Sequence, residues 1–430
     1  MVAETFGNMG LFDRHFAFLE SIETLEDEPY GEIILQLMES MKQMRRIYLD
    51  YASTTPVDPE VVLAMEPYWN KTFGNAGSIH ACGQEGMKAV DDAREVLKNF
   101  LGASALREII FTGSATEANN IALQGVIQRF AFRNGKKTHA ITTVIEHPSV
   151  LEPLRKMEVK GLVDITYIRP SRDGIVDPEE IRKALRPETV LVSVGYANNE
   201  IGVIQPISEI SKIIRDFSNG ISKLPYFHTD SAQAAQYLDM NVENLGIDLM
   251  TISAHKIYGP KGIGGLFMRG GIELEPLLYG GGQEYGIRPS TQNVPLIVGF
   301  ARAIEILTPK EGNAWNDMAK KLQAYALEKI QDIHPAVEVN GSLEHRLPHN
   351  LNICFPGKEA ELLLIGLSEK GICVSSGAAC SSRSQKPSHV IQGIGKTERD
   401  ARSSLRITLG RTTTKNDIDR FIDSLQELLL

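Results

Sequence analysis

The sequence predicts an α/β fold: a large region built on a seven-stranded, mostly parallel sheet, followed by a smaller α+β region. Three observations lead there. From residue 45 onward, short apolar runs alternate with longer amphipathic stretches, the rhythm of strand, helix, strand. Most of the runs are continuous rather than alternating, as expected for strands covered on both faces. After Ala303 the rhythm changes, and helical stretches enclose a single apolar run.

Taken in chain order, the candidate strands are Glu108–Thr112, Ala140–Ile145, Val163–Ile168, Val190–Val194, Tyr226–Thr229, Leu249–Ser253 and Gly264–Met268. Helical stretches such as Gly86–Leu101, Thr116–Phe132 and Pro178–Leu185 lie between them. The later region comprises a helix over Trp315–Ile333, an apolar stretch Leu351–Phe355, a helix Ala360–Glu369 and a last helix Lys415–Leu429. The expected partition is an extension over 1–44, a large domain over 58–305, and a small domain made of 45–57 and 306–430. A chain of 430 residues is too long for one small core, which fits this division.

The extension differs from the rest. It holds nine acidic residues, from Glu4 to Glu39, against Arg14 and Lys42. That composition excludes an Arg- and Ser-rich transit peptide and lacks the basic-then-apolar order of a secretory signal. Ile33, Ile34, Leu37, Met38 and Met41 have near-helical spacing. A docking helix, a regulatory arm and an upstream start ahead of Met44 all remain open readings.

Charge and cysteines narrow the function classes. The net charge is −9, and no basic face suits nucleic acid. No apolar run approaches the roughly 18 residues that span a bilayer. Cys82, Cys354, Cys373 and Cys380 form no CxxC pair, so neither a disulfide framework nor a structural zinc site is expected. A cytoplasmic protein in a reducing environment is the expectation, with no metal.

The chemistry-bearing residues gather at strand ends. Ser253-Ala254-His255-Lys256 closes one strand and leads into glycine turns, where α/β sheets bind ligands. Taken alone, Lys256 reads as a solvated lysine. Asp230 closes the strand before it, within His228-Thr229-Asp230-Ser231-Ala232-Gln233. A pyridine-type cofactor bound as an imine needs such a pair, a lysine for the imine and a carboxylate to keep the ring nitrogen protonated. A helix N-cap is the other reading of Asp230. Thr112-Gly113-Ser114-Ala115-Thr116-Glu117 runs from a strand through a glycine into a helix, with capping-box spacing and a ready anion site. His147 and the pair Asn198-Asn199 follow two further strands. A nucleotide P-loop is excluded, because Val390 stands where the motif ending Gly395-Lys396-Thr397 requires glycine. Cys82, Cys354 and Cys373 read as packing cysteines. Cys380 lies in the small-residue run Ser375–Ser384, which predicts an exposed, flexible loop. Arg383 and Lys386 nearby favour its thiolate.

Together these segments resemble the cysteine desulfurases of the NifS/IscS type, in the class V aminotransferase group of fold-type I pyridoxal-phosphate transferases. The similarity runs from about Tyr48 to the last helix. It includes Tyr48–Pro56, Phe73-Gly74-Asn75, Ser78-Ile79-His80, Gly113–Asn119, Asn198–Gly202, Ser253–Lys256, Gly280–Glu284, Ser375–Ser382 and Leu405–Arg411. The resemblance implies that Lys256 carries pyridoxal 5'-phosphate, Asp230 meets its pyridinium nitrogen, Gln233 its phenolate oxygen, and His147 stacks on the ring. It implies Thr116, Ser253, His255 and the Ala115 backbone at the phosphate. Thr291 would reach the phosphate of the neighbouring subunit in a homodimer, although Pro289-Ser290-Thr291 departs from the usual Ser-Gly-Thr. Asn199 and Arg406 would bind L-cysteine. Lys256, alone or with His147, would move the α-proton, and Cys380 would take the sulfur as a persulfide, leaving L-alanine. The persulfide acceptor implied is an iron–sulfur scaffold or a sulfur carrier for tRNA thiolation; whether Cys380 also ligates a cluster stays open. Other class V enzymes, a selenocysteine lyase or an aminotransferase, are the alternative. A non-catalytic scaffold of the same fold would be expected to lack Lys256 or Asp230.

Overall fold

Seven strands form the central sheet of the computed structural model, which describes residues 46–218, 224–307, 314–377 and 387–429. They are β1 (Ile109–Thr112), β2 (Thr138–Thr143), β3 (Val163–Ile168), β4 (Thr189–Ser193), β5 (Tyr226–Asp230), β6 (Leu249–Ser253) and β7 (Gly264–Met268). Their order across the sheet is β1-β7-β6-β5-β4-β2-β3. β3, β2, β4, β5 and β6 run parallel, and β7 is antiparallel to both of its neighbours. The sheet is therefore mostly parallel, as the sequence predicts.

Neighbouring residues on each strand feed opposite faces. Phe111, Ile141, Val192, Phe227, Met250 and Phe267 belong to one apolar cluster. Ile110, Ala140, Leu191, Tyr226, Leu249 and Leu266 belong to another. Both faces are covered, so the strands read as unbroken apolar runs.

Three helices place the functional segments. α1 (Ala81–Leu101) starts five residues earlier than the sequence suggests, because the His80 ring accepts the Gly83 N–H at 3.2 Å. Gly102 ends it at φ 64°. α2 (Ala115–Asn134) is capped by the Ser114 side chain, which accepts the Glu117 N–H. α3 (Pro148–Val159) carries proline in its first turn and His147 as its N-cap. α4 (Val294–Leu307) then leads toward α5 (Ala314–Ile333).

A second, three-stranded antiparallel sheet follows, of β8 (Glu338–Val339), β9 (Asn350–Cys354) and β10 (Ser404–Thr408), with β9 central. α6 (Ala360–Glu369) and α7 (Lys415–Leu429) accompany it. The chain from Tyr48 to Leu430 clusters as one compact unit. Of the other unit, Met1–Ile47, only residues 46 and 47 are described, so the acidic extension and its helical spacing lie outside the described residues. Among the described residues no helix is long and apolar enough to cross a membrane. Cys82 is a correction: it lies exposed in the first turn of α1 rather than packed, because the buried stripe of that helix begins further along, at Gly83, Gly86, Ala89, Val90 and Ala93.

Candidate active site

The carboxyl ends of the parallel strands open into a cavity of about 230 Å³. Ser114, Ala115, Thr116, His147, Asn199, Asp230, Gln233, Ser253, His255, Lys256 and Arg406 all line it. Strand ends β2, β4, β5 and β6 and the β1–α2 turn thus converge as the sequence predicts. Arg406 arrives from β10 of the second sheet.

Lys256 sits in the short turn after β6, and its Nζ donates to the carbonyls of Ala52 and Ser53 at 2.6 Å each. Gln233 Nε2 also donates to Ala52 O, at 2.9 Å. Asp230 Oδ1 accepts the Ala232 N–H at 3.0 Å, and its Oδ2 accepts Asn119 Nδ2 at 2.7 Å. Asn119 Nδ2 also reaches Ser149 Oγ at 2.8 Å, and that hydroxyl meets His147 Nδ1 at 2.7 Å. Because His147 Nδ1 accepts the Ser149 N–H, the neutral ring carries its proton on Nε2. Burial pushes the His147 imidazole below its ordinary range; Asp230 opposes this, and Lys256 and His389 add to it. Asn119 and Ser149 are site-forming residues to which sequence reasoning assigns no role. The only signal was the place of Asn119 in the first turns of α2.

The phosphate end is a cradle of close approaches. A Cβ on Gly264 would lie 2.8 Å from Ala115 N, so only glycine lets β7 pass beneath the start of α2. Ser253 Oγ is buried with no hydrogen-bond partner, an unsatisfied donor facing the cavity where an anion would satisfy it. His255 Nδ1 pairs with Thr54 Oγ1 at 3.1 Å, and burial with Lys256 and Lys261 nearby lowers its pKa to about 4. A helix N-terminus, an orphaned hydroxyl, a lysine and an opposed carboxylate in one cavity fit a phosphorylated pyridine cofactor.

Arg406, from the second sheet, is 1% exposed. Its Nη1 donates to Asn199 O at 2.9 Å, and its Nη2 to Asp50 Oδ1 and Ser53 Oγ at 2.6 Å each. Nε is buried without a partner. Of the two adjacent amides, Asn198 is structural: it donates to Ile145 O and accepts from Glu200 N and Ile201 N. Glu146, beside His147, is buried, and burial raises its pKa to about 7 despite the Thr143 hydroxyl and Gly195 N–H bonded to it.

Thr291 and Cys380 are the two remaining expected residues. Thr291 is exposed and lines a separate cavity of about 190 Å³ with Gly113, Arg288 and Ser290. Buried Glu284 fixes that segment, pairing with Arg94 and accepting Phe111 N, with Glu284 and Tyr285 both at positive φ. Cys380 lies outside the described residues; Gly377 and Pro387 are the described residues flanking it. Among the described residues no group of three His, Cys, Asp or Glu could hold a metal ion.

Sheet order and cavity are those of a fold-type I enzyme, a class whose members generally depend on pyridoxal phosphate. The aminotransferase class-V family matches residues 47–421. The chain is 43% identical over 385 residues to "Cysteine desulfurase IscS" of Dictyoglomus turgidum, covering 90% of this chain and 95% of that protein. It is similar to the solved structure of a "NIFS-LIKE PROTEIN" (TM-score 0.82, 34% identity, 90% and 99% of the two chains). It is also similar to "SspA in complex with cysteine" (TM-score 0.73, 36% identity, 84% and 98%). The chain belongs to the class-V aminotransferase family and, within it, to the cysteine desulfurases.

Proposed function

We propose that the protein converts L-cysteine and its own Cys380 thiol into L-alanine and a Cys380 persulfide. The observation that carries this reading is one cavity lined by Lys256, Asp230 and Arg406, with the Lys256 amine and the Arg406 guanidinium both bonded to Ser53. Bound on Lys256, pyridoxal phosphate would supply an electron sink that acidifies the substrate α-proton. Ala115, Thr116, Ser253 and His255 would hold its phosphate, Asp230 would keep a proton on the ring nitrogen, Gln233 would meet the phenolate oxygen and His147 would stack on the ring.

Arg406 orients the substrate carboxylate, aided by Asn199. Lys256, with His147 beside it, takes the α-proton. The Cys380 thiolate attacks the substrate sulfur: an S–S bond forms, the Cβ–S bond breaks with its electron pair on carbon, and protonation there yields alanine. Atoms balance without an external oxidant.

The rest of the reading follows from the family pattern. The protein acts in the cytoplasm as a homodimer, with Thr291 at the neighbouring subunit's phosphate, and passes sulfur to an iron–sulfur scaffold or sulfur carrier. Residues 58–305 form the cofactor domain, and 45–57 with 306–430 the domain bearing Cys380.

The test is an absorbance spectrum of the purified protein, then L-cysteine with dithiothreitol as two-electron reductant of the persulfide. A visible band that shifts with cysteine, and sulfide and alanine in equal amounts, are expected. Cys380→Ala should keep the band and lose sulfide. Full turnover in that variant would return the reading to another class V enzyme, a selenocysteine lyase or an aminotransferase.

A further inference from the structure

Glu200 follows the substrate-side Asn199 and is 1% exposed. No Lys or Arg pairs with it among the described residues, although a buried carboxylate is strongly disfavoured unless it is paired or hydrogen-bonded. Its backbone is held firmly: the carbonyl accepts Asn350 Nδ2 at 3.2 Å and Asn352 Nδ2 at 3.1 Å, and the N–H donates to Asn198 Oδ1 at 2.9 Å. The carboxylate itself is turned toward two residues far along the chain. Oε2 accepts the Ser388 hydroxyl. On the other side lies Gly377, at φ 132°, where a Cβ would stand 3.3 Å from the same oxygen. Gly377 O accepts Ser375 Oγ at 2.8 Å, and Ser375 pairs through its backbone with Arg406 at 3.1 and 2.6 Å.

Gly377 and Ser388 stand on either side of segment 378–386, which contains Cys380. We propose that Glu200 is a positioning residue for sulfur transfer, fastening the Ser388 root of that segment, with the Gly377 root packed beside its carboxylate, to the turn that bears Asn199. Fixing one root shortens the search of the Cys380 thiol for the substrate sulfur, which raises its effective concentration. Ser388 supplies the hydrogen bond, and glycine at 377 leaves room for the carboxylate. This inference rests on the desulfurase reading above.

The experiment uses the full-length holoenzyme and follows two signals after L-cysteine is added: the absorbance change at the cofactor and the rate of persulfide formation on Cys380. Glu200→Ala should slow persulfide formation about tenfold with the KM for L-cysteine and the absorbance change retained. Glu200→Gln, which still accepts from Ser388, should stay within about threefold of wild type. If Glu200→Ala does not fold, Ser388→Ala carries the test and should slow the same step about threefold. Unchanged persulfide rates in these variants beside an active wild type would overturn this inference alone. Loss of the absorbance change together with the persulfide would also overturn it, since Glu200 would then serve only the substrate turn. A wild type that forms no persulfide overturns the desulfurase reading, and this inference with it.

Discussion

The two ends of the cavity are assembled differently. At the cofactor end, each side chain is delivered by the strand it terminates: Asp230 by β5, Lys256 by the turn after β6, His147 by the turn after β2. At the substrate end, the groups come from distant parts of the chain. Arg406 meets Asp50 and Ser53, more than 350 positions away, and Asn199, more than 200 away. The cofactor end inherits its geometry from the sheet, whereas the substrate end exists only where two sheets and an N-terminal segment meet. The first should tolerate changes at its periphery, and the second should respond to any member of its network.

Lys256→Ala tests the cofactor end most severely. Sulfide and alanine formation should fall by at least about 10³-fold, measured with the absorbance spectrum recorded in parallel. Unchanged turnover would remove Lys256 from the chemistry. Arg406→Lys is the matching test at the substrate end. The charge stays but the fork onto Asn199 O, Asp50 and Ser53 is lost, so KM for L-cysteine should rise about 10- to 100-fold. A larger effect on kcat than on KM would place Arg406 in the chemical step instead.

Asn119→Ala sharpens the contrast at the edge of the cofactor end. It removes one donor from Asp230 and one from Ser149, and about a 3- to 10-fold loss in kcat is expected, with the rest of the site intact.

The smallest effect is on stability against pH. His139, His228 and His255 have pKa values near 4 and His349 near 3, all lowered chiefly by burial. Unfolded histidine takes its proton near pH 6.5, so between about 6.5 and 4 the unfolded chain binds more protons and stability is lost as pH falls. Glu146 acts in the opposite sense. Its pKa near 7 lets the native state gain a proton between about 7 and 4.5, which offsets part of that loss. Thermal midpoints should therefore drop on acidification below pH 6.5, and more steeply in Glu146→Gln. An equal or shallower slope in the variant would show that Glu146 does not take up the proton.

Much of this was legible in the sequence, for reasons visible in particular elements. β6 and β7 match the apolar runs to the residue, because burial on both faces leaves no alternation to confuse the reading; β3 matches as well, as a partly exposed edge strand with apolar Val163, Ile165 and Ile168. The start of α1 was missed because Gly83 and Gly86 lower local helix propensity. In the fold they are required, since a Cβ would meet Ser78 O at 2.2 Å and Gly74 O at 2.7 Å. Asp230, His147 and Lys256 were legible because each ends a strand. Asp50, Asn119, Ser149 and Glu200 had no assigned role, because their partners are remote: Asn119 acts through Asp230, 111 positions on, and Glu200 through Ser388, 188 on.

Sequence alone determined the layered α/β order and the strand-end chemistry, since hydrophobic periodicity and strand termination are local properties. Tertiary structure decided which acceptor receives each donor: Asp50 Oδ1 for Arg406, His147 Nδ1 for Ser149, Glu200 Oε2 for Ser388. Hydrogen bonds need heavy atoms about 3 Å apart and aligned, and no spacing along a chain specifies that until the layers have packed.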